Sequence, residues 1–290
     1  MQAQIDEFIS RQALPEYYRD AIEQYFLPLA DWIVRNKPQQ GSGVLGINGA
    51  QGTGKSTLAA LLKLLLEYRN GWQVAVLSID DFYLTLAERA VLAAEFHPLL
   101  QTRGVPGTHD VPLMLHVLDQ LQNLQADQSL LLPRFDKSRD DRADESTWCA
   151  VPGPLDLIIL EGWCVGTMAQ SAAALTETVN ALEQEQDPSG AWRSFVNDQL
   201  RQRYAEVFSR LDKLVFLQAP DFDAIYRWRL EQERKLPDGS AVMDEVEIAR
   251  FLLHYERLTR ASLQHMPTAA DVVLKLDRDH RCVASYYRQQ

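Results

Sequence analysis

Apolar and polar positions fall into two rhythms along this chain. Short, nearly unbroken apolar runs, each the length of a buried strand, alternate with longer stretches whose apolar residues recur at helical spacing. The runs cover residues 44–48, 73–79, 130–132, 155–163, 214–217 and 272–276. Helical spacing predicts helices over 55–69, about 85–95, 111–124, most of 167–210, about 220–235 and 244–264. Residues 1–39 are also helical in pattern, and Tyr18, Ile22, Tyr25, Phe26, Leu29, Trp32 and Ile33 form a stripe that reads as core packing.

Turn-forming residues punctuate this rhythm. Pro38, Gly41 and Gly43 break the chain before the first run, Asn70 and Gly71 close the helix over 55–69, and Asp187, Pro188 and Gly190 interrupt 167–210. Pro237, Asp238 and Gly239 make a turn, and Asp110 stands where it can cap the helix over 111–124. Strands alternating with helices predict an α/β chain. The expected architecture is a three-layer α/β/α fold with a mainly parallel sheet, helical insertions, and ligands at the C-terminal ends of the strands. No internal repeat or low-complexity tract is present.

The chemistry begins where the first run ends. Gly49, Ala50, Gln51, Gly52, Thr53, Gly54, Lys55 and Ser56 fit the pattern G-x-x-x-x-G-K-[ST]. A strand precedes them, and strong helix formers follow from Thr57 onward. Glycines let backbone N–H groups fold around an anion, and a helix N-terminus adds its dipole. Residues Gly49 to Thr57 are therefore expected to hold a nucleoside triphosphate. Lys55 would neutralise the β- and γ-phosphates, and Ser56 would take a place on Mg²⁺. An ordinary glycine-rich turn is the plain alternative, and the correct flanks on both sides argue against it.

Composition narrows the partners. A net charge of −11 argues against nucleic acid or an anionic membrane as main partner, so a nucleotide site here has to be locally basic. The proportions, 46% apolar and 24% charged, suit an ordinary globular chain with enough apolar residues for a core. Cys149, Cys164 and Cys282 are too widely spaced to indicate a zinc site or a disulfide framework. The N-terminus is acidic without an apolar leader, and no run is long enough for a membrane span, which points to the cytoplasm.

Three strands are expected to deliver reactive groups to one edge of the sheet: Lys55 and Ser56, then Asp80 and Asp81, then Glu161. Phosphoryl transfer needs such a set, because its catalysis is positioning and charge neutralisation. Glu161, an acid ending an apolar strand, would hold Mg²⁺ with Ser56, directly or through water. Asp80 would accept the proton of an acceptor hydroxyl, which completes a catalytic set of Lys55, Asp80 and Glu161. Strand alternation sends Asp80 and Asp81 in different directions, leaving Asp81 for support or capping. Arg103, His109, Arg134, Lys137 and Arg142 lie in loops between these strands and suggest a small anionic acceptor; solvated loop charges are the bland alternative. His97, His116, His254, His265 and His280 read as structural. Arg227, Arg229, Arg234 and Lys235 make residues 227–240 a candidate lid over the phosphates, with Arg229 counted in the nucleotide site. A solvated basic face paired with Glu231 and Glu233 is the alternative.

Four segments carry a family resemblance. Residues 78–83, Ser-Ile-Asp-Asp-Phe-Tyr, resemble the S-x-D-x-F-Y segment of the phosphoribulokinase, uridine kinase and pantothenate kinase group. Together with Arg-Gly-Val-Pro-Gly-Thr-His-Asp (103–110), Leu-Pro-Arg-Phe-Asp-Lys-Ser (132–138) and Leu-Glu-Gly-Trp (160–163), they resemble the plant-type D-glycerate 3-kinases. The resemblance runs from about 44 to 276. It implies ATP:D-glycerate phosphotransfer giving 3-phosphoglycerate, with Asp80 as base and with Tyr83 and Asp136 joining the acceptor-binding candidates. Two departures stand near the acceptor. Residues 138–142, Ser-Arg-Asp-Asp-Arg, lack glycines expected there, and residues 164–166, Cys-Val-Gly, lack a long apolar residue.

On this reading residues 1–290 form a single P-loop kinase domain, with an N-terminal helical extension (1–40), a helical insertion (164–210) and the lid at 227–240. The partner is a small molecule, and the chain is a monomer or homodimer. A uridine or pantothenate kinase type of enzyme with another acceptor is the alternative. A GTP-dependent switch would need N-K-x-D downstream of the phosphate loop; the nearest match, Asn36 to Gln39, precedes it and ends in Gln.

Overall fold

The apolar run that feeds the glycine-rich loop forms β1 (Gly43–Gly49), buried at every position. The computed structural model describes residues 1–234 and 243–288 and sets β1 inside a six-stranded sheet. The other strands are β2 (Val74–Ser78), β3 (Leu157–Gly162), β4 (Lys213–Gln218), β5 (Val272–Leu276) and β6 (Cys282–Tyr287). Their order is β6-β5-β4-β1-β3-β2, parallel throughout except for the antiparallel pair β5–β6. β2 and β3 lie on one side of β1 and β4 on the other, so the connections diverge at the C-terminal end of β1. That is the topological switch point at which open α/β sheets receive ligands.

Alternation along the strands makes the layers. Leu45, Ile47, Leu157, Ile159, Val215 and Leu217 join a core on one face, with the helix Lys55–Asn70 and the N-terminal helices. Val44, Ala75, Leu77, Ile158 and Leu160 join a core on the other, with the helix Val111–Gln122, residues from 192 to 207, and the long helix Glu245–Ala269. Covering both faces is what lets a parallel sheet of such unbroken apolar strands exist in water.

The helices begin and end for local reasons. Lys55–Asn70 buries Leu58, Leu61, Leu62, Leu65 and Leu66, each contributing about 1.5–3 kcal/mol. It stops at Gly71, which takes φ +65° and donates its N–H to the Glu67 carbonyl. Thr85 and Glu88 form a capping box for Leu86–Glu95, Asp110 caps Val111–Gln122, and Asp244 and Glu247 form a second box for Glu245–Ala269. The first 36 residues are an integral part of the core: Phe8, Ile22, Phe26, Leu29 and Ile33 are all buried in it.

Several expectations need correction. Ser129–Leu132 is a strand, but it pairs with Cys149–Pro152 in a separate two-stranded ribbon. The charged loop after it holds a minimal hairpin, Phe135–Asp136 against Asp141–Arg142. A sixth sheet strand follows β5, on the antiparallel edge. Residues 167–180 are largely irregular apart from a short 3₁₀ helix at Ala172–Leu175, with α-helix only from Ala181–Gln186 and Ala191–Gln199 onward. The strand expected over 73–79 ends at Ser78, and Ile79–Phe82 turns as a short 3₁₀ helix. Lys235, the turn at Pro237, Asp238 and Gly239, and the far part of the candidate lid lie outside the described residues. Among the described residues no helix is long and apolar enough to cross a membrane.

The irregular segment is tied to the long helix by buried charge. Arg257 donates to both carboxylate oxygens of Glu183, at 2.7 and 2.6 Å, and to the carbonyls of Ala174 and Glu177. Glu183 is 0% and Arg257 6% exposed, so neither can turn to solvent if its partner is lost. Glu183→Ala is expected to cost about 3–5 kcal/mol, read as a lower urea midpoint. A midpoint shift worth less than about 1 kcal/mol would show that the pair contributes only as an exposed one does.

Candidate active site

The glycine-rich loop is shaped by its own side chains and by a helix from the far end of the chain. Thr53 Oγ1 donates to the Ala50 carbonyl at 2.8 Å, closing the loop on itself. A Cβ at Gly49 would meet that oxygen at 2.5 Å, so only glycine fits there. Gly52 has φ +78°, and a Cβ on it would approach the Trp228 Cβ to 3.0 Å. Trp228 thus packs the helix Phe222–Arg234 directly onto the loop. Its ring is itself held by His280, at 4.6 Å, and by an N–H bond to the Arg278 carbonyl at 3.2 Å.

The loop ends in the helix that begins at Lys55, so Ser56 lies in its first turn. Ser56 Oγ donates to Glu161 Oε1 at 2.7 Å. The other oxygen of Glu161 is buried with no hydrogen-bond partner, in a residue only 3% exposed. An unpartnered buried carboxylate oxygen beside a hydroxyl is a hard-oxygen donor pair, the kind Mg²⁺ takes. Among the described residues no cluster of three or more His, Cys, Asp or Glu could hold a metal unaided. Any Mg²⁺ at this pair would need water or phosphate oxygens for its remaining positions, as Mg²⁺ sites commonly do.

Past β2, the 3₁₀ turn divides the two neighbouring aspartates. Asp80 Oδ1 accepts from the Tyr83 hydroxyl at 3.0 Å, and Oδ2 from Lys137 Nζ at 2.6 Å. Asp81 faces away: Oδ1 accepts from the Phe135 N–H at 3.1 Å and Oδ2 lies 3.5 Å from Arg134. The divergence is as expected, but its cause is the turn and not strand alternation. Burial pushes the Asp80 carboxyl up, yet Lys137 and Lys55 overcome it and hold the group at about 2. Asp81, where burial outweighs the Phe135 N–H and Arg134, is raised.

Tyr83 is buried and stacks on His109 at 4.4 Å. His109 Nδ1 lies 2.6 Å from the Tyr204 hydroxyl, its Nε2 is buried without a partner, and burial lowers its pKa to about 4. The imidazole is therefore neutral at physiological pH.

The arginines and the lysine among the loop residues suggested by the sequence are all engaged by acids. Arg103 pairs with Asp140 and lies over the Phe135 ring at 5.5 Å. Arg142 donates to Asp110 at 2.9 Å, while Arg134 and Lys137 hold Asp81 and Asp80. Asp136 spends Oδ1 on its own turn, accepting from the Ser138 N–H and hydroxyl, so its role here is to shape the loop. Arg229 pairs with Glu233 at 2.6 Å and lies over Phe251; the pair is largely buried and not part of a solvated face, and Trp228 is the residue that meets the phosphate loop. Arg234 pairs with Glu245.

Thr57 faces a different space. With Tyr17, Tyr18, Gly54, His280 and Leu276 it lines a cavity of about 90 Å³ between the N-terminal helices and the phosphate loop. Nothing in the sequence marks Tyr204, Trp228 or Arg89 for the site; Asp140 stands in the segment that lacks the expected glycines, and His280 reads as structural. Only their tertiary neighbours mark them out.

No protein-family model matches the chain. An uncharacterised kinase, mug58, of Schizosaccharomyces pombe is 38% identical over 228 residues, covering 76% of this chain and 80% of that protein. The chloroplastic D-glycerate 3-kinase of Arabidopsis thaliana is 32% identical across 88% of this chain, which spans 59% of the plant protein. The solved structure of a D-glycerate 3-kinase from Cryptococcus neoformans superposes with a TM-score of 0.76 at 28% identity, over 91% of this chain and 99% of the other.

Lys137→Met tests the electrostatics of the turn. Without that cation burial weighs more heavily, and the Asp80 carboxyl should titrate at higher pH than about 2. In the wild type a carboxyl held below its ordinary 3.8 contributes stability that is complete above pH 3.8 and is lost as pH falls toward 2. The variant should lose that acid tolerance. A carbon-13 titration of Asp80 reads the shift directly, and an unchanged midpoint would remove Lys137 as its cause.

Proposed function

The chain belongs to the D-glycerate 3-kinase family of P-loop kinases, and on that premise we propose that it transfers the γ-phosphate of ATP to a hydroxyl of a small hydroxy acid, D-glycerate, giving 3-phosphoglycerate. The observation that carries this reading is the Asp80–Lys137 pair, an acid and a cation held 2.6 Å apart beside the Ser56–Glu161 pair of the phosphate loop. A hydroxy acid offers each of them a counterpart, its hydroxyl to Asp80 and its carboxylate to the cation. The names of the Arabidopsis and Cryptococcus relatives support the same acceptor.

In this reading the backbone N–H groups of residues 49–56 cradle the triphosphate and Lys55 neutralises its β- and γ-phosphates. The cavity beyond Thr57 receives the nucleobase, which gives the N-terminal helices a part in the nucleotide site. Ser56 and Glu161 would hold Mg²⁺, which when bound would supply charge neutralisation at the transferring group. Tyr83 and Lys137 orient Asp80. A carboxyl at about 2 is a poor base toward a free alcohol. It suffices once bond formation to phosphorus has acidified the hydroxyl. When Lys137 turns to the acceptor carboxylate, Asp80 regains basicity at the moment it is needed. Arg134 and Arg142, with His109, complete an acceptor site in which cations exchange their acid partners for the substrate, while Arg103 offers it the edge of its guanidinium that Asp140 leaves open. Cytoplasmic residence, supported by three free cysteines, and a monomeric or homodimeric state belong to the same proposal.

A coupled ADP-release screen over D-glycerate, other hydroxy acids, nucleosides, pantothenate and pentose phosphates tests the acceptor; a neutral nucleoside as best substrate would sink the hydroxy-acid reading. Lys55→Ala should abolish turnover with the fold intact, because the lost group serves the ligand. Asp80→Asn should lower kcat by about 10²–10⁴ with ATP binding unchanged. Asp81→Asn should act on stability or acceptor KM, since its carboxylate holds the Phe135 N–H. If Asp81→Asn is the variant that loses kcat, the base is Asp81.

A further inference from the structure

The loop that carries Lys137 reverses at Asp140, whose backbone is left-handed with φ +54°. Glycine is the default residue in that conformation, and an aspartate is tolerated at a small steric cost. The sequence already lacked the glycines expected in this connection. What stands there instead is a carboxylate gripped from both sides.

From beneath comes Arg89, on the helix Leu86–Glu95, at 0% exposure. Its Nε, Nη1 and Nη2 donate to the carbonyls of Leu84, Gln101 and Asp140 at 3.2, 2.9 and 2.7 Å. Nη2 also lies 2.9 Å from Asp140 Oδ2. A fully buried guanidinium satisfied by three carbonyls and a carboxylate is a fixed point of the fold. From above, Asp140 Oδ1 accepts from Arg103 Nη1. Arg103 is partly open, at 28% side-chain exposure. The two guanidinium groups lie 6.0 and 5.5 Å from the Phe135 ring centroid, and Phe135 meets Tyr83 edge-on at 5.3 Å. Tyr83 in turn donates to Asp80. A continuous stack thus runs from the buried arginine to the acid proposed as base.

We propose that Asp140, clamped by Arg89, is the positioning residue that aims Arg103 at the carboxylate of the acceptor and so sets the preference for a hydroxy acid over a neutral polyol. The inference rests on the hydroxy-acid reading of the site. Arg103 has five N–H donors in a planar fork, and Asp140 engages one terminal nitrogen. One edge of the fork is therefore held by a protein carboxylate while the other is left for a ligand carboxylate, in the geometry that arginine binds best. Arg103 without Asp140 is a long side chain with many rotamers, and a ligand would have to immobilise it at the expense of its own affinity.

Two substitutions separate positioning from turn formation. Asp140→Gly meets every backbone demand of the left-handed turn and removes the carboxylate. Asp140→Asn also tolerates that conformation and removes only the charge. Both should fold, as followed by circular dichroism and thermal unfolding. In both, KM for D-glycerate should rise by roughly tenfold or more, KM for ATP should stay within about twofold, and the preference for D-glycerate over glycerol in kcat/KM should fall by the same factor as the KM rise. Wild-type KM for D-glycerate in Asp140→Gly overturns the assignment, because glycine would then have rescued a purely structural position. Tighter D-glycerate binding overturns it too, since Asp140 would be competing with the acceptor for Arg103. Loss of the fold in both variants would make Asp140 a structural anchor and equally overturn it. A wild-type enzyme indifferent between D-glycerate and glycerol defeats the hydroxy-acid reading and this inference with it. A wild-type preference that survives in both variants defeats the inference alone.

Discussion

The parallel pairing of β1 with β3 is the constraint on which the site depends. It sets Ile47 opposite Glu161 and Asn48 opposite Gly162, while β2 sets Ser78 opposite the same Glu161. Neighbouring strands stand about 4.7–4.9 Å apart, so the phosphate loop, the acid and the start of the 3₁₀ turn leave the sheet at one level. Alternation then decides the face. Leu160 points into the core with the helix Val111–Gln122, so Glu161 points to the face on which the helix Lys55–Asn70 packs. That is why Ser56, in the first turn of that helix, finds Glu161 at 2.7 Å. A slip of one residue in β3 would present an apolar side chain to Ser56 and bury the acid among leucines.

A second constraint is electrostatic. The chain carries a net charge of −11, yet its acceptor region is rich in cations, and each is neutralised by a specific acid. Their acids are partly buried while Arg134 and Lys137 reach into solvent, so the charges interact more strongly than at an open surface but are not removed from water altogether. The pairs of Lys137 with Asp80 and Arg134 with Asp81 are exchangeable: a ligand carboxylate can take the cation from the protein carboxylate at small net cost, because one charge-assisted bond replaces another. Asp80 and Lys137 make the exchange consequential, since the cation that Asp80 loses is the one that depressed its basicity.

The nucleotide side is built differently. Trp228, His280 and the N-terminal residues Tyr17 and Tyr18 bring remote parts of the chain against the phosphate loop. Residues 1–36 cover a sheet face and also line the cavity beside Thr57, so what resembles an appended extension completes both a core and a pocket. The long helix Glu245–Ala269 reaches the acceptor side in turn, where the Tyr255 hydroxyl donates to the Arg103 carbonyl at 3.2 Å.

By itself, the order of residues determined whatever depends on neighbours in the chain. The phosphate loop, its flanking strand and helix, the capping aspartate at 110 and the Gly71 stop were legible because backbone conformation and capping act over a few residues. The apolar runs of β1 and β3 were legible because a strand buried on both faces has no polar alternation to confuse it. Ser129–Leu132 looked the same as those runs, and only its partner, Cys149–Pro152, shows that it lies outside the sheet. The turn at Asp80 and Asp81 was missed as a turn because Ile79 and Phe82 are apolar enough to continue a strand. Arg89 and Tyr204 carried no local signal, and the missing glycines marked only the segment around Asp140: a buried arginine, a left-handed aspartate and a core tyrosine acquire their roles from residues 51, 37 and 95 positions away. Packing decides those, because hydrogen bonds between distant side chains exist only after the sheet has set the distances.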